Sequence, residues 1–350
     1  YKALTDYLVK SSVFIDARAA VVQAAKDLFG NSSPIVTAAE SAFTQVGIGG
    51  GGNAGGSTYQ NNLKPNPGND FIVATDADPD KVYLTYDNNF SSIDVISDID
   101  PATRFSVIDD GTAIVYVGTD KKLHAIQINY SNGNVNEVEI NSNPIWGNVA
   151  ISKDGSRLAM VTDAINNEIT VYDYNLQKSQ VFQLYNPTYS EGVQTGDVLY
   201  ADALEWDYSG NYIMYDAYNE IQDQGGNKLH YWDIGFMRVF DKKKNTFGDG
   251  LVSKLYSGLP ENTSIGNPTF SKNSPYIVAF DYIDEFENTN YLVGTNIETG
   301  DEDAVVNQEE LFVPNYSRLD DYIIFNAPGD EIHAAKLGSN KISYGNSETT

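Results

Sequence analysis

The chain has 350 residues, with 22 Lys and Arg against 48 Asp and Glu, a net charge of −26. Such a surface repels phosphate backbones and anionic membranes, which sets nucleic acid aside as a partner. It has no cysteine, which excludes disulfides, Cys-ligated zinc and thiol nucleophiles.

Aromatics make up 12% of the chain, 24 of them Tyr, beside abundant Asn, Asp, Thr and Ser; that mixture favours strands and polar turns over long helices. No stretch approaches the roughly 18 apolar residues of a membrane span. The chain opens on Tyr1 without a signal peptide, so it reads as a processed or truncated piece.

Residues 1–48 differ in kind from the rest. YKALTDYL has the composition of a helix end. In the following SSVFIDARAAVVQAAKDLFGN, Ala17, Ala20, Val21, Ala24 and Leu28 draw one apolar stripe, with Ser12 as cap and Gly30 at the left-handed C′ position. In SPIVTAAESAFTQVG, Ser33 caps a third helix that has Pro34 at its first position and ends at Gly47. Forty-eight residues are few for an independent core.

The order YKALTDYL, then F-x-x-ARAAVVQAAKDLFG, then AAESAFTQVGI resembles the C-terminal end of thermolysin-type zinc metallopeptidases. That family closes its α-helical domain with an ALT-x-YL helix, an AR-x-A-x-x-QAA-x-DL-[YF]-G helix and an AF-x-x-VG helix. The resemblance covers nearly all of residues 1–48 and implies a zinc endopeptidase as the parent protein, with zinc and calcium in its peptidase domain. The chemistry requires two imidazoles one helical turn apart and a carboxylate that activates water, the HExxH arrangement. No HExxH occurs here, and His124, His230 and His333 all lie after residue 60. The chain is therefore expected to hold no cofactor of its own and to cleave nothing alone.

GGGGNAGGS at 49–57 cannot hold a helix or strand and is read as a linker over residues 49–60. Beyond it, over 61–350, a loose repeat appears: SVIDDGTAIVYVG from Ser106, AISKDGSRLAMVT from Ala150, EWDYSGNYIMYDA from Glu205, TFSKNSPYIVAFD from Thr269 and NYSRLDDYIIFNA from Asn315, preceded by a degenerate PNPGNDFIVAT from Pro65. The turns fall at Gly68, Gly111, Gly155, Gly210, Ser274 and Asp320, spaced 43, 44, 55, 64 and 46 apart. A period of about 40–50 residues in an all-β pattern predicts propeller blades. Stacking blades in a ring covers both faces of each and leaves only short edges.

The predicted fold is mainly β, a six-bladed propeller of four-stranded blades preceded by a small α-helical segment. A seventh blade would require a further strand set in 58–66 or inside the long fourth unit. That unit carries NEIQDQGGNKLHYWDI, read as a protruding loop or hairpin. The SKDGS-type turn resembles the repeat of TolB-like propellers, although the copies here lack that repeat's proline.

Residues entering the first strand of each blade are the expected channel liners: Arg104, Trp146, Asp202, Asn267 and Asn315 by register. Arg104 could hold a substrate carboxylate or pair with a neighbouring acid. Trp146 and Asp202 could shape a sugar or peptide pocket. His124 and His333 fall in equivalent third strands of different blades, too far apart to share a metal, and His230 falls in the exposed insertion. DADPDK at 76–81 and SDIDPATR at 97–104 offer hard oxygens for Ca²⁺ but not a full EF-hand pattern.

The whole is expected to be the C-terminal part of a secreted bacterial zinc endopeptidase, monomeric, whose propeller binds protein substrate or a cell-surface component. The alternative is a non-catalytic scaffold for secretion or surface retention. A self-contained propeller enzyme would need a filled channel site.

Overall fold

The computed structural model describes residues 1–6, 14–30, 33–45, 63–75, 81–86, 91–187, 196–222 and 225–345. The chain forms two compact units, Tyr1–Thr58 with Glu298–Asp301, and Tyr59–Ile297 with Glu302–Thr350. The Ser12 cap, the linker and most of the 76–81 acidic cluster lie outside the described residues.

The first unit holds α1 (Lys2–Asp6), α2 (Phe14–Phe29) and α3 (Pro34–Gln45). Gly30 ends α2 at φ +86° and donates its N–H to Lys26 O at 2.8 Å. Ser33 caps α3 by accepting the Ile35 N–H on Oγ at 3.3 Å. The core joins Val22 and Ala25 of α2 to Val36 of α3, with Ala39 packed against them. Of the expected stripe, Ala20 and Ala24 are buried and Ala17 and Val21 half-buried, but Leu28 is 60% exposed. The reason is that α3 packs against the Val22 and Ala25 side of α2, not the Leu28 side.

The second unit is a ring of six antiparallel sheets in chain order. Blade I has three strands (Ile72–Ala74, Val82–Thr85, Asp94–Ser97). Blade II is Ser106–Val107, Ala113–Val117, Leu123–Asn129 and Asn134–Asn141. Blade III is Trp146–Ile151, Arg157–Thr162, Glu168–Asp173 and Lys178–Gln183. Blade IV is Asp197–Trp206, Tyr212–Gln222, Lys228–Arg238 and Val252–Lys254, with a small hairpin (Phe240–Asp241, Thr246–Phe247) inserted before its last strand. Blade V is Thr263–Phe270, Ile277–Asp284, Thr289–Asn296 and Glu302–Gln308, and blade VI is Asn315–Tyr316, Tyr322–Ala327 and Glu331–Lys336. The predicted six blades are present, and the four internal ones are four-stranded. The 64-residue spacing comes from the extended hairpin and the insert of blade IV, and the 55-residue one contains the long first strand of that blade, Asp197–Trp206, and the segment leading into it.

Period-two alternation assigns each blade face to a different neighbour. In blade II, Ile114 and Tyr116 pack on blade I, whereas Val115 and Val117 pack on blade III. In blade V, Val278 and Phe280 pack on blade IV, whereas Ile277 and Ala279 pack on blade VI. This is why the second strands read as continuous apolar runs such as AIVYV and YIVAF. Between blades III and IV a buried ion pair, Arg157 Nε to Asp173 Oδ2 at 2.7 Å, lies under Phe240 of the inserted hairpin, 3.6 Å from its ring centre.

Blade VI meets blade I through polar groups. Arg318 binds Asp70 Oδ1 and Asn66 O, each at 3.1 Å, and the Asn66 N–H donates to Asn273 Oδ1 at 2.8 Å.

Candidate functional site in the central channel

The first strand of each blade faces the ring axis, and the turn that follows it closes one end of the channel. In blades II to IV that turn needs a left-handed residue, supplied by Gly111, Gly155 and Gly210 at φ +72°, +69° and +65°. In blade VI the same position is Asp320, at φ +60°. Asp tolerates this conformation better than most residues, and its carboxylate has a further task. Asp320 Oδ1 accepts the Lys272 N–H at 2.7 Å, and Oδ2 accepts Ser271 Oγ–H, the Asn273 N–H and Lys341 Nζ at 2.8, 3.0 and 2.7 Å. One side chain therefore fixes the blade V turn to blade VI.

A charged tier spans the turn end. Glu205 of blade IV receives Lys153 Nζ of blade III at 3.0 Å and Lys272 Nζ of blade V at 3.5 Å, and its Oε2 accepts the Phe270 N–H at 3.1 Å. Burial opposes a charge on Glu205, but Lys153, Lys272 and Arg104 together outweigh it and hold the carboxyl well below its usual range. Burial and the neighbouring Lys153 push Lys272 down, and burial pushes Asp109 up. Asp109, Lys153, Asp154, Tyr208, Gly210 and Lys242 line a cavity of about 150 Å³ at this end.

A second tier lies deeper in the channel. Arg104 of blade II donates from Nη2 to Leu204 O of blade IV at 3.2 Å and Pro268 O of blade V at 2.8 Å. Blades II, IV and V are joined this way only across the axis, so Arg104 bolts the channel. Asp216 (blade IV) accepts the Ala203 N–H at 2.7 Å and the Asn267 N–H of blade V at 2.8 Å. Asp281 (blade V) repeats the device: it accepts Asn267 Nδ2 at 2.7 Å and the Phe312 and Val313 N–H groups leading into blade VI at 3.1 and 3.3 Å. Burial, reinforced by Asp202, pushes Asp216 up to about 7, and burial pushes Asp281 up to about 6.

Of the expected liners, Arg104 and Asn267 lie in this tier, and Asp202 is an exposed carboxylate beside it. Trp146 instead sits buried in the core between blades II and III, and Asn315 is exposed at the start of its strand. Irregularities at Trp146/Asn148, Ala201/Leu204 and Gly266/Thr269 break the register of three first strands, so equal counting along the repeat does not give equal direction. Lys153 and Lys272 were not anticipated. Their signal was present, since each follows Ser at the same repeat position, in SKDG and SKNS. Asp216 and Asp281, each inside an apolar strand, are a second such signal.

The three histidines lie apart. His124 is buried, bound to Asp120 at 3.1 Å and stacked on Tyr116; His230 pairs with Glu220 at 3.0 Å and His333 with Glu331 at 2.8 Å. His124 and His333 do occupy third strands of different blades, and His230 is on the exposed part of the blade IV hairpin. Among the described residues no group of three metal-ligating side chains converges, in 97–104 or elsewhere. Among the described residues, none of the three histidines is thus placed to form the zinc site of a thermolysin-type peptidase. Among the described residues no helix is long and apolar enough to cross a membrane.

Residues 1–48 match the family model of the thermolysin metallopeptidase alpha-helical domain. The propeller is TolB-like: the chain is 14% identical to TolB from Acinetobacter baumannii, with a TM-score of 0.55 over 89% of this chain and 68% of that one. The tricorn protease is 11% identical, with a TM-score of 0.46 over 77% of this chain and 28% of that one. A putative 6-phosphogluconolactonase from Bacteroides fragilis is 10% identical, with a TM-score of 0.45 over 77% and 91%. At these identities the likeness concerns the fold alone.

Proposed function

We propose that this chain is the C-terminal part of a secreted thermolysin-like zinc endopeptidase, and that its propeller is an accessory module that binds protein substrate or a partner. The observation that carries this reading is the occurrence, in one chain, of the thermolysin-type helical segment and a complete TolB-like ring. The state of the channel supports binding over chemistry in the propeller. Arg104 is committed to two carbonyls, and Asp216 and Asp281 are committed to backbone N–H groups. These groups hold blades together, which leaves the outer surface for recognition. A Gly-rich tether between the two parts raises the local concentration of whatever the propeller holds near the peptidase.

The test is deletion of 61–350 from the full-length enzyme. Cleavage of a short chromogenic peptide should be unchanged, and cleavage of a large folded protein should fall. Equal loss of both activities, or loss of neither, overturns the accessory role.

A further inference from the structure

The second and third strands of blade IV are 11 residues each, against 5 and 7 in blade II and 6 and 6 in blade III. They stay paired out to Gln222 opposite Lys228. The register sets Tyr200 opposite Tyr218 and Tyr218 opposite Trp232, so three aromatic side chains stand in one row on one face of three adjacent strands. Their ring centres are 5.6 Å (Tyr200–Tyr218), 5.2 Å (Tyr218–Trp232) and 5.5 Å (Tyr200–Trp232) apart, so above this row of strand positions the three rings close into a triangle. All three are half-buried, and one face of Tyr218 is covered by the His230 ring, stacked on it at 5.3 Å.

The row continues the seam between blades IV and V. The Trp232 N–H donates to Ser264 Oγ in the first strand of blade V at 3.1 Å, and Ser264 Oγ–H donates to Glu285 at 3.0 Å. Asp202 follows Tyr200 by two residues, inside the register irregularity between Ala201 and Leu204, and its charge acts on the Tyr200 hydroxyl. Asp202 and Glu285 are exposed, and neither has an ion-pair partner among the described residues. The nearby cations are occupied: Lys228 pairs with Glu220 at 2.9 Å, and Lys254 is held by Asp233 on the other side of the hairpin.

Half-exposed Tyr and Trp are the side chains that most often anchor a protein interface. Aromatic faces beside uncompensated carboxylates attract a cation through both the ring quadrupole and the charge. We propose that the row of Tyr200, Tyr218 and Trp232, flanked by Asp202 and Glu285, docks a basic polypeptide segment, with a Lys or Arg side chain laid against the rings and its cation at the carboxylates. This rests on the accessory-module reading for its biological purpose. The net charge of −26 favours a basic peptide over a neutral glycan.

The chain carries its own reporter. Of its three tryptophans, Trp146 and Trp206 are buried and Trp232 is half-exposed. The experiment is a fluorescence and calorimetric titration of the intact chain with an alternating Lys-Gly octapeptide, the matching Gln-Gly peptide and a neutral oligoglucoside. The expected result is saturable binding of the Lys peptide alone, weakened by salt. Asp202→Asn should weaken it about tenfold, the loss of one charge contact. Trp232→Ala, followed by calorimetry, should abolish it.

Asp202 is exposed on a bulge, so a thermal melt of Asp202→Asn confirms that the fold is kept. Equal binding of the Gln peptide, preference for the glycan, or unchanged affinity in Asp202→Asn each overturns the site. Binding as expected, with protein cleavage untouched by the 61–350 deletion, overturns the accessory role and leaves the site standing. The reverse pattern removes the site and keeps the accessory role.

Discussion

Two tiers of one channel bury similar groups and shift their carboxyls in opposite directions. At the turn end, Glu205 lies between Lys153 and Lys272, and its carboxyl is held well below the usual range. Deeper in, Asp216 and Asp281 accept neutral N–H groups, with Arg104 the cation acting on both, and they are pushed up to about 7 and 6. Burial opposes charge in both tiers. What differs is the supply of cations. Where two ammoniums face one carboxylate, its value falls; where the direct donors are amides, burial prevails over the pull of Arg104 and the value rises.

Glu205→Ala breaks the comparison most directly. It leaves two ammoniums buried without their shared carboxylate, and removal of one partner of a buried pair costs roughly 3–5 kcal/mol. Urea unfolding at pH 7 checks this, and a cost under about 1 kcal/mol would mean that the tier is solvated, not compensated.

The pH profile sharpens the comparison. Asp216 and Asp281 have folded values above their ordinary value of 3.8, so the folded chain binds more protons than the unfolded one between about 4 and 7. Their contribution to stability is fully present below 3.8 and is lost as pH rises through about 6 and then about 7. For Asp216 alone the loss is on the order of 4 kcal/mol at most. Glu205 has the opposite sign: its contribution is present above its ordinary 4.5 and is lost as pH falls. From these three groups stability should therefore peak near pH 4, where the two signs meet, and decline up to about pH 7, read from urea midpoints between pH 4 and 8. A flat profile from pH 5 to 8 would show that the upper aspartates are ordinary carboxylates.

Arg104→Met has the smallest expected effect. It leaves two carbonyls without a donor, at about 1–3 kcal/mol in total. It also removes the cation that lowers Asp216 and Asp281, so their folded values should rise further and the alkaline decline should run on to higher pH than in the parent chain.

The aromatic row and the two tiers show what repeat counting reaches. The repeat copies place the turns at Gly111, Gly155, Gly210 and Asp320, because glycine or a substitute at a left-handed position is a local demand of the chain. Lys153 and Lys272 stand at one repeat position and could have been paired by aligning SKDG with SKNS. The burial of Trp146 could not be read that way, since the irregularity between Trp146 and Asn148 depends on hydrogen bonds to the neighbouring strand. Leu28 failed as a core residue for a similar reason: an amphipathic stripe names a face, and the packing partner chooses which edge of it is covered.

By itself, then, the sequence determined the helical segment with its caps, the six-unit β repeat, the place of the long insertion and the absence of an HExxH site, all of which follow from spacing and residue type. Only the tertiary structure decided that Arg104 spans the channel to blades IV and V, that Glu205 lies between two lysines from other blades, and that Tyr200, Tyr218 and Trp232 form one row. Those relations join residues from about 14 to 164 positions apart. Only strand register and the closing of the ring set such distances, and no local preference of the chain encodes them.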